Sequence, residues 1–395
     1  MVNLAGMDLN MLRKFFSDIG EKPFRAVQVL KWIHKRGIAS FDEMTDLSKQ
    51  LRERLPLLAV ITFPEIIEQK ISQDGTHKWL VKVAGENIVE MVFIPEKSRG
   101  TLCISSQVGC PINCSFCLTA KQGFNRNLTA AEIIGQVWLA VRKLQDIKHP
   151  AIPVAKITNV VIMGMGEPLL NIDAVIIATA IMRDDNAYSL ARRRVTVSTS
   201  GVVPGIAKLA SMADVALAVS LHAPTNAIRN TLVPLNKKYP IETLIEACKN
   251  YAKISKLDSI TIEYVMLKDV NDKLEHAKKL IKVLSGLSCK VNLIPFNRFL
   301  NSIYESSTNE VIYAFNQTLN KAGIVTTVRT TRGEDIEAAC GQLVGKVQTH
   351  LRHCERSEAI QSNLDCVVAN APRNDERKNV PFVLKGTEAL PMGIL

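Results

Sequence analysis

Between Thr101 and Val328 short apolar runs of strand length alternate with longer segments of helical period. The strand-like runs are Leu102–Ser106, Asn159–Met163, Arg194–Ser198, Val215–Ser220, Ser259–Met266, Lys290–Pro295 and Gly323–Val328. Helical segments fall between them at Ile172–Arg183, Gly205–Met212, Ile241–Ile254 and Leu274–Leu284. Ahead of these, Thr129 and Glu132 form a capping box that opens a helix with Ile133, Ile134, Val137, Trp138, Val141 and Leu144 on one face. Such alternation calls for parallel strands joined by crossover helices. In barrel-like folds of this kind the active site forms from loops at the C-terminal strand ends.

The polar signals lie at those ends. One strand runs into Gly164-Met165-Gly166-Glu167-Pro168, others into Ser198-Thr199-Ser200-Gly201, Ser220-Leu221-His222-Ala223 and Pro295-Phe296-Asn297. A single polar strand end means little, but four of them beside a cysteine loop point to a ligand site. His222 by itself reads equally as a rim residue or a structural histidine. There is no Gly-x-Gly-x-x-Gly dinucleotide loop and no Gly-Lys-Ser/Thr phosphate loop, which counts against those cofactor classes.

The cysteine loop is Cys110-Pro-Ile-Asn-Cys114-Ser-Phe-Cys117. Three thiols this close can hold one inorganic centre. A tetrahedral zinc site needs a fourth ligand, for which Cys103 is a candidate. A [4Fe–4S] cube on three cysteines leaves one iron open to a small molecule. The spacing alone leaves zinc, a cluster or an empty reduced loop open. The nine cysteines are unevenly placed and form no disulfide framework, as expected of a chain kept in a reducing cytoplasm. No transmembrane-length apolar run or signal peptide is present.

Residues 1–55 read as short helices rich in cations: Arg13, Lys14, Lys22, Arg25, Lys31, His34, Lys35, Arg36, Lys49, Arg52 and Arg54. They form either a phosphate-contacting surface or an ordinary solvated face. The formal net charge is +11, and the tail beyond Lys346 is neutral, so the excess belongs to the body. A basic body of this kind fits a polyanionic partner. From Ile61 the pattern turns extended. Lys78–Val83 and Ile88–Pro95 flank an Ala84-Gly85-Glu86-Asn87 turn as a hairpin. Glu90 interrupts the second strand, and its residue type places it on the wet face.

Near the end of the body, Arg329-Thr-Thr-Arg332-Gly-Glu-Asp335-Ile-Glu337 leads to Cys340-Gly341. A lone cysteine is most often simply buried, yet one beside glycine in a polar segment is a candidate reactive thiol. Arg329 and Arg332 would favour its thiolate, Asp335 and Glu337 would oppose it.

These motifs together resemble the bacterial radical S-adenosylmethionine RNA methyltransferases of the dual-specificity, adenosine-methylating family. The resemblance rests on the cysteine loop and the following Leu118–Leu128, Gly164–Pro168, Ser220–Ala223, Leu293–Asn297, and Arg332-Gly333 through Leu343. It implies a partial (β/α)6-type radical SAM barrel with a small N-terminal helical RNA-binding domain and a linking β-hairpin. It implies a [4Fe–4S] cluster on Cys110, Cys114 and Cys117. S-adenosylmethionine would sit against Gly166, Glu167, Ser198, Ser220, Leu221, His222 and Asn297. It implies Cys340 as methyl carrier, Cys103 as the thiol that forms a disulfide with it at the end of the reaction, and Glu90 as proton acceptor, against the wet-face reading. The implied substrates are adenosine C2 in 23S rRNA and in tRNA next to the anticodon, and the implied reductant is flavodoxin- or ferredoxin-like. A cytoplasmic monomer without membrane contact is expected. The related C8 methyltransferases share nearly all of this machinery, and a non-catalytic metal-containing RNA-binding protein is the alternative of another class.

The expected divisions are 1–60 for the helical domain, 61–98 for the hairpin region, 99–346 for the catalytic domain and 347–395 for a polar, disordered tail carrying Cys354 and Cys366 incidentally.

Overall fold

The computed structural model describes residues 1–145, 156–255 and 259–343; the expected tail lies outside them. Within Met1–Gly345, three helices lead the chain: α1 (Leu9–Asp18), α2 (Phe24–Leu30) and α3 (Lys49–Leu58). Asp8 caps α1 by accepting from Met11 N at 2.8 Å, and Ser48 caps α3 by accepting from Leu51 N at 3.3 Å. Leu4, Leu12, Phe16, Leu30, Ile33, Leu51 and Leu55 are buried in the same hydrophobic core as the residues of the central sheet. Phe63 stacks on Trp138 at 4.2 Å, and Trp138 Nε1 donates to Ile33 O at 3.0 Å. The helices are thus joined to the barrel by a shared core.

That core surrounds one ten-stranded sheet whose spatial order follows the chain. Its strands are β1 (Glu65–Ile71), β2 (His77–Val83), β3 (Asn87–Pro95), β4 (Gly100–Cys103), β5 (Asn159–Ile162), β6 (Val195–Thr199), β7 (Ala216–Ser220), β8 (Ile260–Met266), β9 (Cys289–Pro295) and β10 (Thr326–Val328). From β4 to β10 neighbours are parallel, while β1 to β4 are antiparallel. The parallel part is served by crossover helices α4 (Ala130–Gln145), α5 (Ile172–Arg183), α6 (Val203–Met212), α7 (Ile241–Ser255), α8 (Leu274–Val283) and α9 (Asn309–Lys321). The expected hairpin is present, and it continues the barrel sheet directly, since Val92 pairs with Cys103. The capping box at α4 forms as expected: Glu132 N donates to Thr129 Oγ1 at 3.2 Å, and Thr129 N donates to Glu132 Oε2 at 2.8 Å.

Strand register divides the sheet into two chemistries. Paired residues point to the same face, and side chains alternate along each strand. Val160, Ile162, Val197, Leu217, Val219, Ile262, Val291 and Leu293 are therefore on the face covered by the helices, and all are buried. The opposite face carries Lys78, Glu90, Cys103, Ser198, Ser220, Glu263 and Asn292. The apolar alternation that builds the core thus leaves a concave face of small and polar groups.

Candidate active site

The cavity at the C-terminal strand ends holds about 1060 Å³, counting its open mouth. Cys110, Cys114, Cys117, Gly166, Glu167, Ser198, Ser220, His222, Asn297 and Cys340 all line it. Three residues expected at the site are not part of this lining. Leu221 has a fully buried side chain, and only its backbone faces the site's framework. Cys103 is buried on β4, on the inner face of the sheet, in electrostatic contact with Cys340 and Arg329. Glu90 is 0% exposed on β3, which corrects its wet-face reading: in the register it shares the inner face with Cys103 and Lys78.

The cysteine loop leaves a short two-stranded ribbon, Gln107–Gly109 with Phe124–Asn127. Gly109 has φ +73, and a Cβ there would lie 1.8 Å from Gly123 O, so only glycine permits this entry to the loop. Burial pushes the Cys110 thiol up to about 12 and raises Cys114 and Cys117 as well. Three buried thiols facing one cavity become thiolates only with a compensating positive centre. Among the described residues no three His, Cys, Asp or Glu side chains converge on a single-ion site. Three thiols of one loop facing one cavity fit the donor set of a [4Fe–4S] cluster, which Cys110, Cys114 and Cys117 would hold.

The polar half is built by backbone clamps. Glu167 accepts from Leu169 N at 3.1 Å and from Ser200 N at 2.7 Å, tying the β5 and β6 loops together. Burial raises its pKa, and those backbone donors oppose the shift. His222 sits at φ +59 and accepts from Val265 N through Nδ1 at 3.0 Å. The ring is therefore the Nε2–H tautomer. Burial, then Arg229, depresses its pKa to about 3, keeping it neutral. It packs edge-on against Phe116 of the cysteine loop at 4.8 Å.

Arg229 is a functional residue that sequence reasoning misses. Its fully buried guanidinium donates to Leu221 O at 3.0 Å, Ser220 O at 3.1 Å, Ser200 O at 2.6 Å and Asn236 Oδ1 at 3.0 Å. It pins the β6 and β7 ends at once. No motif marks it, because three of its four acceptors are backbone carbonyls that only the fold assembles. Of the charged residues that precede Cys340 in the sequence, the structure brings Arg329 into electrostatic and hydrogen-bond contact with it. That guanidinium interacts most strongly with Cys340, then with Glu263 and Cys103. Asp335 is instead tied to Ser72 Oγ at 2.5 Å, and Arg332 lies 3.8 Å from Asp74. Cys103 and Cys340 are both free thiols here, so the disulfide implied for the end of the reaction is not formed in this structure. His34 leaves the expected phosphate-contacting set: it is buried against Tyr188, and burial lowers its pKa to about 3.

A parallel barrel with a three-cysteine loop and a polar cavity at its strand ends defines a radical S-adenosylmethionine enzyme. Residues 104–281 match the model of the Radical SAM superfamily, and residues 2–61 match that of the ribosomal RNA large subunit methyltransferase N-terminal domain. The "Dual-specificity RNA methyltransferase RlmN" of Pseudomonas fluorescens (strain SBW25) is 55% identical over 360 residues, covering 91% of this chain and 94% of that protein. The crystal structure of a radical SAM methyltransferase from Sphaerobacter thermophilus superposes with a TM-score of 0.79 at 39% identity, covering 87% of this chain and 99% of that one. The chain belongs to the dual-specificity RNA methyltransferase family, and it is an S-adenosylmethionine-binding, iron–sulfur methyltransferase. Among the described residues no helix is long and apolar enough to cross a membrane.

Proposed function

We propose that this chain methylates adenosine C2 in 23S rRNA and in tRNA next to the anticodon, with Cys340 as methyl carrier. The observation that supports this most is that Cys340 lines the same cavity as Cys110, Cys114 and Cys117, with Cys103 in electrostatic reach of it. Cys110, Cys114 and Cys117 would hold a [4Fe–4S] cluster, and S-adenosylmethionine bound there would supply the methyl group and the radical chemistry that activates it. An external flavodoxin- or ferredoxin-like protein supplies the electron.

The chain's own part follows from the chemistry of adenine. C2 is not nucleophilic, so the carbon must be delivered from a protein group, which makes this covalent catalysis by a thiol. Cys340 receives the methyl group on sulfur and presents that carbon to C2. Glu90 takes the C2 proton; burial pushes its pKa up to about 7 while Lys78 opposes the shift, which suits a base working near neutral pH. Attack of the Cys103 thiolate on the Cys340 sulfur would break the bond to the RNA-borne carbon and leave a disulfide; that carbon takes a proton to become the methyl group, and the one surplus electron returns to the redox partner that supplied it. Gly166, Glu167, Ser198, Ser220, His222 and Asn297, with the Leu221 backbone, orient the cofactor. Residues 1–60 form an RNA-contacting domain through the exposed cations Arg13, Lys14, Lys22, Lys31, Lys35, Arg36, Lys49 and Arg54. The target base must arrive unstacked to reach the cavity.

Replacing Cys340 with alanine tests this reading. Iron and sulfide content should be retained while RNA methylation is lost, and mass spectrometry of RNA digests from the unaltered enzyme should place the methyl group on C2. Methylation that survives the replacement would sink the carrier role, and C8-methyladenosine as product would move the chain to the neighbouring reaction.

A further inference from the structure

Lys78 is buried on β2 with its side chain 5% exposed. An ammonium is seldom buried without partners to hold it. Its Nζ lies 3.3 Å from Glu90 Oε2 and donates to Glu337 O at 3.0 Å. The first partner is the proton acceptor on β3. The second is the backbone three residues before Cys340, at a position whose φ is +54.

The strand register explains the first contact. Lys78 pairs with Val92 and Leu80 pairs with Glu90, so Lys78 and Glu90 are diagonal neighbours on the inner face. Val92 also pairs with Cys103 on its other side, which puts that thiol on the same face. The second contact belongs to a clasp. The β1–β2 turn grips the Cys340 loop through Ser72 Oγ to Asp335 Oδ1 at 2.5 Å, Gln73 N to Asp335 Oδ2 at 3.2 Å and Gly333 N to Asp74 Oδ2 at 3.1 Å. Of the residues in this clasp, Lys78 is the one that also pairs with Glu90.

We propose that Lys78 is a positioning residue for methyl transfer: one ammonium fixes both the proton acceptor Glu90 and the loop that carries Cys340, so that the base meets the carbon where Cys340 delivers it. This rests on the roles of Glu90 and Cys340 proposed above. Electrostatics agree with it. The charged groups acting on Glu90 are Lys78 on its own sheet face, Lys70 on β1 and Glu337 in the loop, with the Cys103 thiol on the adjoining strand. Lys78 is the largest of the influences that favour the carboxylate. When Glu90 accepts a proton the ion pair is lost, but the bond to Glu337 O remains and keeps the loop in place.

The test compares Lys78→Met, Lys78→Arg and Glu90→Gln in the reconstituted full-length enzyme. In Lys78→Met the maximal rate should fall about 100-fold, the effect of a misplaced reacting group, with KM for RNA unchanged. Its pH–rate midpoint should move up by about one to three pH units, as expected when a neighbouring opposite charge is removed. Iron content and methylation of Cys340 itself, read by peptide mass spectrometry, should be unchanged. Without any cofactor, backbone amides of residues 333–341 should exchange faster. Lys78→Arg should recover the pH midpoint in part and most of the exchange protection; if the methionine variant does not fold, the arginine variant carries the test through a split between these two readouts. Wild-type rate, midpoint and exchange in the Lys78 variants, with Glu90→Gln reduced to a low rate, would overturn the proposal alone. Full activity of Glu90→Gln would overturn the reading on which it rests.

Discussion

Leu118 N donates to Gly341 O at 2.8 Å, joining the residue after the third cysteine of the loop to the residue after Cys340. More than 200 positions of chain separate the two in sequence, as the neighbouring bond from Thr119 Oγ1 to Leu343 O at 2.9 Å spans 224. Asn297 Nδ2 adds a contact to Cys340 O at 3.3 Å, and Gln342 Nε2 donates to Arg298 O at 2.8 Å. The segment that would hold the cluster and the segment that would carry the methyl group are therefore one wall of the cavity.

Thr119 gives a way to loosen that wall without replacing a cysteine, though its hydroxyl also hydrogen-bonds the Cys117 thiol. Thr119→Val removes the only hydroxyl in the pair and leaves a buried carbonyl with a lost donor, which should cost about 1–3 kcal/mol. The denaturation midpoint should fall accordingly, and amides 340–343 should exchange faster. Unchanged exchange there would mean that the contacts of Leu118, Asn297 and Gln342 hold the loop without it.

Arg229 should be intolerant of replacement. Its four acceptors are three backbone carbonyls and an amide oxygen, spread over the β6 end, the β7 end and the turn at Asn236. Burial lowers its pKa to about 10, still far above neutral, so the group remains charged at pH 7. Arg229→Met would orphan several buried carbonyls, and a loss of about 2–5 kcal/mol is expected. Lysine cannot span the same acceptors because it lacks the planar fork. Equilibrium dialysis should show weaker S-adenosylmethionine binding in both variants, since Ser200, Ser220 and Leu221 lose their common anchor.

What the sequence discloses and what it withholds divide along a physical line. The strands and crossover helices are legible because apolar period and caps are local signals; α5 at Ile172–Arg183 matches its expected span. The loops of Gly164–Pro168, Ser220–Ala223 and Cys110–Cys117 are legible because their chemistry is concentrated in a few adjacent residues. The strand β1 has one signal, the Asp74-Gly75 turn that follows it, and otherwise a weak half-exposed alternation. Glu90 reads as wet because a carboxylate in a strand usually is, and only the register with Lys78 and the packing of the Cys340 loop make burial tenable. Arg229 and Lys78 have no local signal at all, because their partners are backbone atoms or side chains brought in by other strands.

The pH dependence of the chemical step should follow Glu90. Burial is the largest influence on it and carries its pKa to about 7, above the usual carboxylate range. A base must be ionised to accept a proton, so the single-turnover rate should rise with pH through about 7 and level off above it. Glu90→Gln should give a low rate without that rise. A wild-type profile that falls across the same window would show that a protonated group, not the Glu90 carboxylate, limits the step.

Gly166 tests whether the cofactor side of the cavity is set by backbone shape. Its φ is +102, and a Cβ would lie 2.5 Å from Gln107 Cβ. Gln107 Oε1 accepts from Glu167 N at 2.8 Å, so a push against Gln107 also displaces the Glu167 clamp. Gly166→Ala should therefore lose about 1–3 kcal/mol from backbone strain alone, with further loss from the clash and weaker S-adenosylmethionine binding. Gly323 supplies the comparison, because it has φ +82, a Cβ there would meet nothing within 4 Å, and it lies before β10 outside the cavity lining. Gly323→Ala should show the strain penalty of about 1–2 kcal/mol and normal cofactor binding. If the two variants bind the cofactor equally well, close approach of Gly166 to Gln107 is not what shapes the site.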